Sequence, residues 1–78
     1  MTRCFPNPVK DVVTLSSEAL KGGGKVVFTD ALGKEVKRTS VSDESTTIDV
    51  SGLNRGVYFV NIISKEGIKS TVQRLIKQ

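Results

Sequence analysis

Residues 53–63 constrain the fold of this chain more than any other stretch of its sequence. They read LNRGVYFVNII and contain its longest apolar run, in which β-branched and aromatic residues dominate. Such residues suit the pleated surface of a β-sheet, and a run this apolar favours a strand buried at the centre of the fold. We therefore expect the other strands to lie around this one.

The residues that open this run predict the kind of sheet to which it belongs. Leu53 is followed by two polar residues, then by Gly56, one further residue and Tyr58. In an immunoglobulin-like sandwich, a tyrosine near the start of a central strand turns its hydroxyl back to the backbone just upstream. Gly56 allows the sharp bend because it lacks a Cβ. We predict a corner formed by Leu53, Gly56 and Tyr58, with the core face continuing through Val60 and Ile62.

Shorter apolar alternations predict further strands. Three of them place two apolar residues on one face: Val13 with Leu15, Val26 with Phe28, and Ile48 with Val50. Asp30 and Gly33 bracket a four-residue turn, because aspartate favours the first position of a type I turn and glycine the last. Residues 35–41 carry two valines of different parity, so we expect an edge strand with a bulge or bend. With turn signals every ~8–12 residues, the pattern predicts an all-β, immunoglobulin-like antiparallel β-sandwich of about six to seven strands.

The last strand is predicted to begin near Ile68 and to run to the end of the chain. Ile68, Val72 and Ile76 share one face in this interpretation, and Leu75 lies on the other. A chain terminus usually frays, but this one stays apolar up to Ile76, so we expect it to pair within a sheet. In the central strand, Phe59 faces away from the core and is expected to pack against same-face neighbours.

The composition argues against catalysis and metal binding. The chain has no histidine, the commonest general base and metal ligand, and Cys4 is its only cysteine. A single cysteine forms neither an internal disulfide nor a Cys-X-X-Cys metal site, although it could pair with another chain in an oxidising compartment. We therefore expect no enzyme activity, no cofactor and no metal site.

Charge and hydropathy argue against two kinds of partner. Twelve Lys and Arg residues against eight Asp and Glu residues give a net charge of +4, and the cations are scattered over predicted turns and strand faces. This pattern favours a mildly basic surface that keeps strand edges soluble, rather than a nucleic-acid interface. No apolar run reaches the ~18 residues that indicate a membrane-spanning helix, so no transmembrane segment is expected.

Four features in a fixed order resemble one known family. The series begins with residues 5–8, FPNP, before the first strand, and continues with residues 30–36, DALGKEV, in the hairpin. Residues 48–60, IDVSGLNRGVYFV, lead into the core, and residues 74–77, RLIK, end the last strand. Over nearly the whole chain, this series resembles the C-terminal sorting domain of the type IX secretion system, also called the Por secretion tail.

The resemblance implies a function in protein transport. Such domains are immunoglobulin-like sandwiches at the C-termini of proteins secreted by Gram-negative bacteria of the Bacteroidota type. A cargo protein, fused ahead of the domain, reaches the periplasm by a separate signal, and the domain then directs it through the outer-membrane translocon of the type IX system. A sortase-like cysteine protease removes the domain and attaches the cargo to an anionic lipopolysaccharide. The expected location is the periplasm in transit, then the cell surface or the medium.

The resemblance also implies roles for individual residues. The family motifs with a structural role fall on Pro6, Asn7, Pro8, Gly33, Leu53, Gly56 and Tyr58. The sorting signal falls on Arg74, Leu75, Ile76 and Lys77. Arg74 stands where the family often has lysine, and Gln78 extends past the usual end. Residues 1–5 are interpreted as the remnant of a linker, and residues 6–78 as a single C-terminal sorting domain.

Recognition and assembly leave alternatives open. For a sorting domain, exposed backbone at the edge of the C-terminal strand suits recognition by strand addition. A fibronectin-III-like adhesive or carbohydrate-binding module would share the fold, although no tryptophan or tyrosine platform for a sugar is evident. A homodimer could form through an edge strand or by domain swapping.

Overall fold

The structure, a computed structural model, describes residues 3–5 and 8–78 of the chain. Within these residues it contains seven β-strands and one short 3₁₀ helix. The strands are β1 (Arg3–Phe5), β2 (Val12–Ser16), β3 (Gly24–Asp30), β4 (Glu35–Val41), β5 (Ser45–Asp49), β6 (Gly56–Ser64) and β7 (Lys69–Lys77), and the helix spans Glu18–Leu20. The predicted all-β class is confirmed.

The strands form two sheets, and every strand pair within them is antiparallel. The smaller sheet has the order β1-β2-β5, and the larger sheet has the order β4-β3-β6-β7. Strand β6, which contains the apolar run, lies between β3 and β7, so the strand predicted to be central is an inner strand of the larger sheet. Strand β4 lies at an edge, as its sparse apolar residues predicted.

The hydrophobic core is built from the inward faces of both sheets. The smaller sheet contributes Val13, Leu15 and Ile48, and the larger sheet contributes Val26, Phe28, Tyr58, Val60, Ile62 and Leu75. The predicted inward residues of β2, β3, β5 and β6 are all buried. Each strand alternates its side chains between two faces, so a correct pairing register places all of these residues inside together.

The hairpin between β3 and β4 follows the predicted turn chemistry. The Asp30 side chain accepts hydrogen bonds from the backbone N–H groups of Leu32 and Lys34, both at 2.9 Å. The Gly33 N–H donates to the Asp30 carbonyl oxygen at 3.0 Å. After the turn, the pairing of β3 with β4 shifts by one residue beside Thr29, next to Val36. This irregularity confirms the predicted bulge or bend in the edge strand.

The last strand begins later than the sequence predicts. Ile68 precedes the strand, which starts at Lys69, and the Ile68 side chain is 67% exposed. The turn before it is held by a hydrogen bond from the Gly67 N–H to the Ser64 carbonyl oxygen at 2.8 Å. Val72 was predicted to share a face with Ile68, but its side chain is not described by the structure.

The last strand also differs from its regular two-residue spacing in which side chains enter the core. The register of β7 against β6 shifts between Val60 and Asn61. After this shift Leu75 lies opposite Tyr58 and is fully buried, whereas Ile76 is 38% exposed. Ile68 and Ile76 are therefore not buried, and a bulge breaks the two-residue period on which the spacing argument depends.

The first residues that the structure describes belong to the smaller sheet. Arg3–Phe5, predicted from the sequence to be part of a linker remnant, form β1 and pair with β2 from Arg3 opposite Ser16 to Phe5 opposite Thr14. The motif residues Pro6 and Asn7 lie outside the described residues, and Pro8 is exposed.

Candidate functional site

The predicted sorting signal forms the end of β7, where two of its side chains enter the fold. Leu75 is fully buried opposite Tyr58, and Lys77, opposite Gly56, is 7% exposed. The Lys77 ammonium group donates a hydrogen bond to the Gln78 carbonyl oxygen at 3.1 Å. A buried aliphatic stem that carries its charged end to a polar partner is a common lysine arrangement.

The other two signal residues lie on the outer face of the larger sheet, away from the core. Arg74 is exposed and lies opposite Phe59 of β6, and Ile76 lies opposite Val57. The structure thus brings the four predicted signal residues onto one strand and divides them between core and surface. A partner that meets the folded domain on this outer face contacts Arg74 and Ile76, not Leu75 or Lys77.

The backbone at the end of β7 is hydrogen-bonded along both of its edges. On one side it pairs with the start of β6 at Gly56. On the other side Val9 forms a parallel bridge to Lys77: the Val9 N–H donates to the Ile76 carbonyl oxygen and the Gln78 N–H donates to the Val9 carbonyl oxygen, both at 2.8 Å. β7 is an edge strand of the larger sheet, as the expected strand addition requires. At residues 76–78, however, Val9 already occupies the position of an added strand, so the backbone of this short stretch is covered in the folded domain.

Val9 is a site residue that sequence reasoning missed. Its side chain is fully buried in the core cluster. The only signal for this role is an isolated valine after the proline-containing segment, followed by the charged Lys10 and Asp11. A single apolar residue carries no periodicity, so the sequence does not distinguish it from a loop residue.

A second contact joins the N-terminal residues to β7. The Gln73 side-chain amide donates a hydrogen bond to the Cys4 carbonyl oxygen at 3.0 Å. Cys4 itself is 6% exposed and belongs to the core. Burial raises the pKa of the Cys4 thiol from 9.0 to about 11, so the thiolate form is disfavoured at neutral pH. Cys4 therefore acts as a small core residue in the described structure.

The predicted corner at the start of β6 is confirmed. The Tyr58 hydroxyl donates a hydrogen bond to the Asn54 carbonyl oxygen at 2.7 Å, four residues upstream. Gly56 between them has a φ of +152°, a backbone conformation that residues with a Cβ rarely adopt. Leu53 is partly buried and packs against the core. This corner fixes the start of β6, where the end of β7 pairs.

One buried polar residue on the outer face of β6 also escaped prediction. Asn61 is 5% exposed, and its side-chain amide donates to the Val27 carbonyl oxygen at 3.3 Å and to the Thr29 hydroxyl at 3.4 Å. An asparagine inside an apolar run is the sequence signal for such a cross-strand bond. The bonds tie β6 to β3 on the face that also carries Phe59.

Other polar and ionisable features lie away from the end of β7. Arg38 binds Glu35 at 2.8 Å, which holds the pKa of the Glu35 carboxyl below its usual value. The Ser51 N–H does the same for the pKa of Asp49. Gly33 lies in the turn between β3 and β4, and strands β3 and β6 separate that hairpin's edge strand from β7. These groups stabilise turns and an edge strand.

No metal-binding or membrane-spanning feature is found in the described part of the chain. No group of three or more His, Cys, Asp or Glu side chains there is placed to hold a metal ion. None of its helices is both long and apolar enough to cross a membrane. The arrangement at β7 offers contact surface and hydrogen-bonded backbone.

The fold and this terminal strand define a small immunoglobulin-like domain whose two ends meet. Residues 3–78 match the family described as the secretion system C-terminal sorting domain, and the chain belongs to that family. It is thus a type IX secretion sorting domain, and membership implies export to the cell surface or secretion from the cell. The family is one of secretion-signal domains, not of catalysts.

Two individual proteins are also similar to the chain. Beta-agarase A of Zobellia galactanivorans is 33% identical over 60 residues, which cover 74% of this chain and 11% of that protein. A solved structure from a study of PorZ, an essential surface component of the type IX secretion system of Porphyromonas gingivalis, has a TM-score of 0.69 and 21% identity. That alignment covers 99% of this chain and 11% of the solved chain, and it supports the fold assignment. The chain thus spans a small part of both.

Tyr58→Phe should lower the free energy of unfolding by about 1 kcal/mol, because one partly buried hydrogen bond is lost. Urea denaturation measures the change. Asn54→Ala is the matched control: the acceptor is the backbone carbonyl of Asn54, so this exposed substitution should leave the stability nearly unchanged. An equal loss in the two variants would contradict the corner bond.

Cys4 should make the stability fall with pH in alkaline solution. The folded thiol has the higher pKa, so the folded state holds its proton while the unfolded state releases it between pH 9.0 and about 11. The stabilisation is present below that window and declines through it. The free energy of unfolding of the wild-type protein, measured relative to Cys4→Ala, should therefore decrease as the pH rises through the window. A constant difference would contradict a buried thiol.

Proposed function

We propose that this chain is a C-terminal signal domain that directs a cargo protein, fused ahead of it, through the outer-membrane translocon of the type IX system after transit through the periplasm. The observation that carries the proposal is the family match, which extends over residues 3–78 and therefore over every described strand. In this proposal Arg74, Leu75, Ile76 and Lys77 form the sorting signal, and the remaining motif residues hold the sandwich that positions it.

The partners in the proposal are the type IX translocon and a sortase-like cysteine protease that removes the domain and attaches the cargo at the cell surface. The cut is proposed to lie ahead of β1. Two core residues, Cys4 and Val9, lie near the start of the chain, and Val9 holds the edge of β7. A cut after them would remove both from the core. We therefore move the proposed start of the single sorting domain from residue 6 to β1.

Transplantation tests the proposal directly. A passenger enzyme with a periplasmic export signal, fused ahead of residues 1–78, should reach the surface of cells that carry a type IX system. The passenger without the domain should remain in the periplasm. Digestion of intact cells with an external protease measures the surface fraction. If the fused passenger stays in the periplasm although the domain is folded, the chain is not a sufficient sorting signal.

A truncation refines this test, provided that stability is controlled. Removing residues 75–78 should abolish delivery, but it also removes the fully buried Leu75 and the partner of Val9. Val13→Ala is the matched control, because it weakens the core from the smaller sheet by about 2 kcal/mol and leaves β7 intact. Delivery of the Val13→Ala fusion beside retention of the truncated one would assign the signal to the end of β7.

A further inference from the structure

We propose that the folded domain is recognised by a partner protein at the outer face of the larger sheet, over Val57, Phe59, Arg74 and Ile76, a surface that we call the outer patch. The partner surface is apolar at its centre and carries a carboxylate where it meets Arg74. The inference rests on the proposed sorting function and adds to it the docking surface and the chemistry of the partner.

The pairing of β6 with β7 assembles the outer patch. Val57 lies directly opposite Ile76, and Phe59 lies directly opposite Arg74. Directly opposed residues on one face of an antiparallel pair have Cβ atoms about 4.5–5.5 Å apart, so the four side chains form one contiguous block. Half of the block comes from the predicted signal and half from the apolar run of β6. Residues of the apolar run and residues of the predicted signal thus meet on one surface.

The side chains of the outer patch are more exposed than Leu75 and Lys77, the two signal residues outside it. Val57 and Ile76 remain 40% and 38% exposed, whereas Leu75 and Lys77 are 0% and 7% exposed. Protein interfaces have an apolar centre with a polar rim, and a few central side chains carry most of the binding energy. Adjacent exposed β-branched residues beside a half-buried aromatic ring match such a centre, with Arg74 at its rim.

The backbone at this end of β7 is already hydrogen-bonded to Val9, which favours recognition through side chains. Strand addition at residues 76–78 requires Val9 to leave, together with both of its 2.8 Å hydrogen bonds to β7. Contact with the outer patch leaves those bonds intact. The patch is thus the surface of the signal that the folded domain presents without rearrangement.

Charge indicates the chemistry of the partner. The chain carries a net charge of +4, and Arg74 places one positive charge in the outer patch. Opposite charge on a partner raises the association rate and fixes orientation, so an acidic protein surface is complementary. A lipid surface is a poorer match, because membrane-surface binding relies on clusters of cations and on deeply inserted side chains. The patch supplies one cation, two short β-branched side chains and one half-buried aromatic ring.

The smaller sheet offers a competing surface that serves as the control. Val12 and Phe5 are 45% and 50% exposed there, and Val12 lies opposite Asp49. This surface therefore has similar apolar exposure beside an acid, and it contains none of the signal residues. A substitution at Val12 perturbs an exposed β-branched residue of a strand, as a substitution at Val57 or Ile76 does.

The test uses a passenger fused ahead of residues 1–78, in cells with a type IX system. Ile76→Glu and Val57→Glu should each lower surface delivery about tenfold, the effect of losing a central contact. Val12→Glu should change it less than about twofold, as expected outside such a centre. The melting temperatures of the purified chains show whether each variant is folded. If Ile76→Glu melts at a lower temperature than the control Val12→Glu, Ile76→Thr is used in its place. Wild-type delivery by a folded Ile76 variant overturns the outer patch.

Arg74 tests the acidic chemistry separately. Arg74→Glu should lower delivery about tenfold, because a carboxylate would then face the partner's carboxylate, and Arg74→Lys should restore most of the delivery. Wild-type delivery by Arg74→Glu would overturn the acidic partner. Retention of the unmodified fusion in the periplasm would instead refute the proposed sorting function, so the two failures are distinguishable.

Two measurements on the purified chain separate a protein partner from other occupants. Cosedimentation uses vesicles of phosphatidylcholine with phosphatidylglycerol, and sedimentation velocity measures self-association. Vesicle binding, or dimerisation, that Ile76→Glu abolishes would overturn the assignment to a partner protein and identify the occupant as lipid or as a second copy of the chain. The proposal is supported if the purified chain is a monomer that does not bind the vesicles and the Ile76→Glu fusion is delivered poorly.

Discussion

The pairing of β6 with both of its neighbours is the interaction on which the rest of the structure depends. β6 pairs with β3 from Tyr58 to Ser64 and with β7 from Gly56 to Ile63. Its inward side chains fill the middle of the core, and its start is fixed by the bond from the Tyr58 hydroxyl to the backbone of Asn54. Because side chains alternate along a strand, this one register decides which residues of β7 are buried and which reach the surface.

The two ends of the described chain hold each other in place. Val9 forms the last backbone contact on the edge of β7, and Gln73 reaches back to the carbonyl of Cys4. The N-terminal residues therefore complete the environment of the C-terminal strand. In the proposed function, a cargo joins the domain at one end and the signal lies at the other, and this proximity would place the junction and the signal at the same structural element. Loss of the N-terminal residues would expose an edge that the intact domain covers.

Local sequence signals predicted much of the fold, and non-local pairing decided what they missed. The corner at Tyr58, the turn at Asp30 and the inward faces of β2, β3, β5 and β6 all depend on residues close together in the chain. The buried face of β7 depends on a register shift against Val60 and Asn61, which only the partner strand reveals.

The same reasoning explains what could be predicted of the candidate site. The identity of the terminal motif came from resemblance, and its division into buried and exposed side chains came from the register. The role of Val9 could not be predicted from the isolated valine alone, because one apolar residue defines no period. The burial of Cys4 was missed for a related reason: the sequence assigned it to a linker remnant, whereas Cys4 lies in β1, pairs with Leu15 of β2 and is buried.

Amide hydrogen exchange at Val9 and Gln78, measured by NMR, tests most directly whether the N-terminal residues hold the C-terminal strand. The Val9 and Gln78 N–H groups each donate across this contact at 2.8 Å. The account predicts that both exchange slowly, with protection similar to that of the β6 amides, because they open only with the sandwich. Exchange at the rate of an unstructured peptide, while β6 remains protected, would contradict it.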